Sequence, residues 1–199
     1  MRSSRLIAPL LLLAAAPFLL AACGDDSSGD EDGITAAIEQ AATTDTAENC
    51  TEVQTDAFNQ QTEFASEGDA TEVCEQEAGQ GDVAADSVEV ESIEVDGESA
   101  TADVSFSGGN LDGQVLAISL VDEDGQWKLD SLDEFVEFDK EAFATGLLEK
   151  ASSDGETPQG VLNCLEQAIN AASDDELTGV YLSGDESQLV ALFGECFGQ

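Results

Sequence analysis

The chain has 199 residues, with 44 aspartates and glutamates against five lysines and arginines, no histidine, and a formal net charge of −39. That balance excludes a basic groove for nucleic acid and any charge-driven hold on anionic lipid heads, since both need clustered cations. Without histidine, the commonest zinc ligand and the usual proton-transfer group near neutral pH are also missing.

In chain order, Arg2 and Arg5 precede an apolar stretch from Leu6 to Leu20, interrupted by Pro9 and Pro17 and followed by Ala21-Ala22-Cys23. A positive start, an apolar middle and small residues beside the cut make an export signal. Leu20-Ala21-Ala22-Cys23 resembles the lipobox of bacterial lipoproteins. The resemblance implies a signal peptide over 1–22 and lipidation of Cys23, through a diacylglycerol thioether and an N-acyl chain such as palmitate. Two or more chains give lasting attachment, so the expected location is the cell membrane, lipid-anchored on the extracytoplasmic face. The alternative is an uncleaved helix, for which the apolar run is short.

All 44 acidic residues lie beyond residue 22, facing only Lys128, Lys140 and Lys150. Such a chain repels itself unless salt or divalent cations screen it, which points to a saline habitat or to a compositional habit of the organism's secreted proteins. Besides Cys23 there are four cysteines, Cys50, Cys74, Cys164 and Cys196, which can pair in three ways. An even count in an exported chain favours two structural disulfides. Cys50 with Cys74 and Cys164 with Cys196 is the expected pairing, because each bridge then staples helices inside one region.

Residues 23–32 hold no aliphatic or aromatic side chain and read as an acidic, solvated tether. Ile34, Ala37, Ile38, Ala41 and Ala42 recur at helical spacing. A second helix is expected after Cys50, carrying Val53, Ala57, Phe58, Phe64 and Ala65. Asp69 with Glu72 forms a capping signature for a third, short one. From Asp86 the period falls to two. Val88 and Val90 have the opposite parity to Ile93 and Val95, which predicts a bulge near Glu91-Ser92. Asp96-Gly97 and Asp124-Gly125 are hairpin signals. Ala100, Ala102, Val104 and Phe106 point inward between them, Gln114 to Val121 suits a central strand, and Trp127-Lys128-Leu129 makes a fourth. After Phe138 the pattern is helical again, with a capping box at Ser173 and Glu176 and an apolar face of Leu189, Leu192, Phe193 and Cys196.

Helices followed by a meander, with a Val-x-Val strand, the hairpin from Asp96 to Val104 and the closing Asp124-Gly125-Gln126-Trp127-Lys128-Leu129, resemble the nuclear transport factor 2-like (cystatin-like) fold, and more narrowly actinobacterial lipoproteins carrying such a domain. The resemblance covers residues 33–138. It implies an α+β class, with N-terminal helices packed in a curved, cone-shaped antiparallel sheet. A small disulfide-stapled helical unit over 139–199 follows it. Some members of that superfamily are polyketide cyclases or ketosteroid isomerases, and many are binding modules, so fold alone leaves function open.

The enzymatic members need side chains this sequence does not supply in the matching region: histidine is absent and the single tyrosine, Tyr181, lies beyond it. Strand carboxylates such as Glu89, Asp103 and Asp130 alternate with the apolar set and are expected to face solvent. Ser28, Asp30, Asp32, Gly33 and Glu39 match positions of a calcium-binding loop, a coincidence expected in so acidic a chain. No catalytic, cofactor or metal residue is assigned. The expected function is non-enzymatic binding or docking at the cell envelope, with a small apolar or cationic ligand or an envelope protein as partner, membrane lipid as the anchor's partner, and no nucleic acid. The competing reading is a cyclase- or isomerase-like enzyme using a buried carboxylate. An open pocket lined by an inward carboxylate would favour the enzyme, whereas a filled one would leave surface docking alone.

Overall fold

A computed structural model of the chain describes residues 27–66, 68–79, 84–152 and 157–197. Cys23 and the apolar stretch before it lie outside the described residues.

Helix α1, Ser27–Thr43, buries Ile34, Ala37 and Ile38 against the sheet. It begins inside the stretch read as a tether, so residues 27–32 are helical while Gly29, Glu31 and Asp32 stay exposed. An acidic first turn favours this, because carboxylates complement the partial positive charge of a helix N-terminus. The same helix disposes of the calcium-loop coincidence: Asp30, Asp32, Gly33 and Glu39 ride on a regular helix, which cannot wrap an ion as a loop does. Gly33 lets α1 close on the sheet, since a Cβ there would stand 3.1 Å from the Trp127 ring.

The single helix expected after Cys50 is broken into α2, Asn49–Glu52, and α3, Asp56–Thr62. Between them the chain runs beside the last strand: Thr55 N–H donates to the Leu129 carbonyl and Leu129 N–H to the Val53 carbonyl, both at 2.9 Å. Thr55 then caps α3 by accepting from Phe58 N–H. Helix α4, Ala70–Glu77, starts without a side-chain bond from Asp69, whose helical backbone angles hold its carboxylate out of capping position.

Four strands, β1 Ser87–Asp96, β2 Ser99–Ser107, β3 Val115–Glu123 and β4 Gln126–Glu137, form an antiparallel meander in that order. The pairing register slips between Val90 and Ser92, which lets Val90 face Val104 and Ile93 face Ala102 despite their opposite parity. Three further slips between β3 and β4 bend that pair. The β3–β4 turn uses positive φ at Asp124 and Gly125, as a twisted two-residue hairpin requires. Strand β4 continues well past Leu129 to Glu137, and its distal Phe135 reaches the core of the C-terminal helices. The main core lies between α1, α3 and the inner face of the sheet, around Leu116, Ile118, Leu120, Val104 and Leu129.

Helices α5 Lys140–Ser152, α6 Gln159–Ala171, α7 Asp174–Ser183 and α8 Glu186–Phe197 enclose a second core of Phe143, Leu165, Ile169, Leu177 and Phe193. Ser173 and Glu176 form a reciprocal capping box at the start of α7. Disulfides join Cys50 to Cys74 and Cys164 to Cys196, the first tying α2 to α4 and the second α6 to α8. The helical unit does not stand apart from the sheet. Phe135 of β4 meets Phe138, Phe143 and Tyr181 edge to face, with ring centres 5.2 to 6.0 Å apart. Such aromatic contacts each add about 1 kcal/mol beyond burial. Two glutamines complete the joint. Gln61 bridges α3, β4 and α7, and the fully buried Gln114 exchanges two 3.0 Å hydrogen bonds with the Asp139 backbone at the entry to α5.

Candidate functional site

Between α1, α3, the inner sheet face and the C-terminal helices lies an open cavity of about 660 Å³. Helix α1 contributes Ile38, Ala41 and Ala42, the two alanines being too short to reach across the space. The sheet contributes Phe106, Ile118, Leu129 and Leu132, the inward residues of β2, β3 and β4. The far wall comes from the second core: Phe143, Leu147 and Lys150 of α5, Leu177, Val180 and Tyr181 of α7, and Leu189 and Phe193 of α8. The cavity is therefore a property of both units, closed by the helical one. The Cys50–Cys74 bridge also borders it.

One ionisable group stands out. Glu63 follows the last residue of α3, where its N–H donates to the Asn59 carbonyl, and Phe64 then turns the chain with a φ of 52°. Both side chains border the cavity. Burial raises the Glu63 carboxyl above its ordinary range; Lys150 opposes that rise, and the negative charges of Glu77 and Asp45 add to it. Asp45 is fixed in turn by accepting a 2.9 Å hydrogen bond from Gly79 N–H. Tyr181, half-buried because one side borders the cavity, is nonetheless deep among protein atoms. Desolvation, with Glu63 nearby, pushes its phenol up to about 12. It is neutral at physiological pH and can only donate or accept a hydrogen bond.

Sequence reasoning placed Tyr181 outside the matching region and so discounted a phenol; the fold of α7 against β4 brings it back to the cavity wall. Glu63 was also missed. Its signal was faint, a lone acidic residue beside Phe64 in a chain where acids are everywhere. None of the strand carboxylates borders this cavity. Asp103 accepts from the Ser92 hydroxyl and Asp130 from the Thr55 hydroxyl, while Glu89 is exposed. Among the aromatic side chains, Phe58, Phe106 and Trp127 are buried, and Phe58, Phe64 and Phe106 also border the cavity. Among the described residues, no cluster of acids or cysteines is arranged to hold a metal ion, and no helix is long and apolar enough to cross a membrane. Comparison of the chain with protein-family models, with curated proteins and with solved structures returns no match.

Proposed function

We propose that this chain is an extracytoplasmic lipoprotein, held to the membrane by acyl groups on Cys23, whose body binds a small apolar or cationic molecule in the cavity between sheet and helices. The cavity carries the reading. Its volume lies in the range of small-molecule sites, about 300 to 1,000 Å³, and its wall is more apolar than polar. Two disulfides agree with an oxidising compartment outside the cytoplasm. The helix-then-meander order supports a cystatin-like, cone-shaped domain over 33–138 as the scaffold.

Titration with Nile red, an uncharged apolar dye, tests the cavity: saturable one-to-one fluorescence enhancement is expected, weakened by Ala42→Trp, which puts an indole into the space. No enhancement, or enhancement unchanged by that substitution, overturns it. Mass spectrometry of the membrane fraction tests the anchor. The expected N-terminus is acylated Cys23, and finding residues 1–22 still attached sinks that part.

A second reading, a cyclase- or isomerase-like enzyme working through a buried carboxylate, is favoured by one observation: Glu63 borders the same cavity as Tyr181. Binding takes precedence because, among the described residues, the Glu63 carboxylate is not aimed by a hydrogen bond, and a general base must be held in reach of its proton. Slow solvent exchange of acidic protons on a bound ketone, lost in Glu63→Gln, would reverse that order.

A further inference from the structure

The cavity is walled by Phe58, Phe64, Phe106, Phe143, Tyr181 and Phe193, six of the chain's eleven phenylalanine, tyrosine and tryptophan residues. An aromatic ring face carries partial negative charge and attracts a cation laid against it, quaternary ammonium groups included. The same wall carries Asp45, Glu63 and Glu77, with Lys150 as the only basic side chain lining it among the described residues. These four groups sit close enough that Asp45, Glu77 and Lys150 each act electrostatically on Glu63. Three carboxylates against one ammonium leave an excess of negative charge beside the apolar space; Asp45 and Glu63 are partly buried there, while Glu77 and Lys150 are exposed. Rings and carboxylates are independent features of the sequence, and both select the same sign of charge.

We propose that the cavity takes an organic cation with an apolar body, a protonated or quaternary amine, its head beside Glu63 and its body along the phenyl rings. This rests on the cavity-binding reading and narrows it. An organic anion of the same shape meets the carboxylates and is rejected. A neutral analogue enters but leaves the charge excess uncompensated. The acidic exterior adds steering toward cations without selecting their shape.

The test is calorimetric titration of the full chain in lipid nanodiscs, with empty nanodiscs subtracted, at physiological ionic strength so that long-range surface attraction is screened. Three probes share a body and differ in charge: phenylpropyltrimethylammonium, phenylpropanol and phenylbutyrate. The cation is expected to bind about tenfold more tightly than the alcohol, the effect of roughly 1.4 kcal/mol, with no saturable heat from the anion. Glu63→Gln should bring the cation down to the alcohol's affinity while leaving the alcohol unchanged, which also shows that the variant folds. Glu94→Gln, which removes one charge from exposed β1, should change neither. Equal affinities for cation and alcohol would overturn the charge selectivity and leave the cavity reading standing. An equal loss in Glu63→Gln and Glu94→Gln would overturn it in favour of surface attraction. Failure of all three probes to bind would sink both readings together.

Discussion

The Gln61 side chain and the Leu132 backbone hold each other in both directions: the amide nitrogen donates to the Leu132 carbonyl at 2.8 Å, and the amide oxygen accepts from Leu132 N–H at 2.7 Å. The same nitrogen donates to the Leu182 carbonyl, so one side chain ties α3 and β4 to the end of α7. Gln61→Ala should therefore loosen the helical unit as well as the sheet. A loss of about 2 to 3 kcal/mol is expected, since backbone groups in a partly buried joint lose their partners. Chemical denaturation measures it. A loss below about 0.5 kcal/mol would mean that water replaces the amide freely and that the joint lies elsewhere.

Gly146 sits in the middle of α5, where a Cβ would run into the Asn110 carbonyl of the 3₁₀ turn Gly109–Leu111. Gly146→Ala should destabilise by about 1 to 3 kcal/mol through that overlap, against the gain in helix propensity. Gly179→Ala on α7 meets open space and should stabilise by up to about 1 kcal/mol. Opposite signs in thermal melts check the pair; two gains would show that α5 is not seated on that turn.

Glu63 makes stability depend on pH in an unusual direction for a carboxylate. Its folded-state value is raised, so its contribution is fully present below the unfolded value, about 4.3, and is lost as pH rises through the folded one. Glu63→Gln is thus expected to raise the melting temperature near pH 7 and to make no difference near about pH 3. Exposed Glu176 behaves the opposite way. Hydrogen bonds from the Ser173 backbone and then its side chain lower its carboxyl, so its capping contribution is present above the unfolded value and fades as pH falls through the folded one. Glu176→Gln should lose its effect in acid. A pH-independent difference for Glu63→Gln would disprove the desolvation account.

Tyr181 is the chain's only tyrosine, so alkaline absorbance reads it alone. The midpoint should lie at about 12 rather than near the ordinary 10. Unfolding in guanidinium should restore the ordinary value. A native midpoint near 10 would place the phenol in water and remove it from the cavity wall.

The described body carries its excess negative charge against only Lys128, Lys140 and Lys150. Melting temperature should climb with added sodium chloride as the Debye length shrinks from about 30 Å at 0.01 M to about 3 Å at 1 M. Flat stability across that series would exclude a body held back by its own repulsion.

Much of the architecture is local and was legible along the chain. Period-two burial in β2 follows from strand geometry acting on Ala100, Ala102, Val104 and Phe106, and the opposite parity of Val90 and Ile93 demanded a slip that the β1–β2 pairing contains. Ser173 and Glu176 cap α7 because three residues of spacing suffice for both hydrogen bonds. Where distant segments compete, the pattern was silent. Helical spacing carried the expected helix straight through Val53, Gln54 and Thr55, yet hydrogen bonds offered by Leu129, more than 70 positions away, pull that stretch into an extended course. Glu63 and Tyr181 are one residue each in a long chain, and nothing near either marks it. Their meeting at one cavity follows from α7 packing on β4 through Phe135 and Gln61. The sequence by itself determined charge, helix faces, strand parity and caps, because those depend on neighbours a few residues apart. Only the tertiary structure decided that the helical unit closes an aromatic, acid-rimmed cavity, because that depends on how two cores of unequal shape dock and what space they leave unfilled.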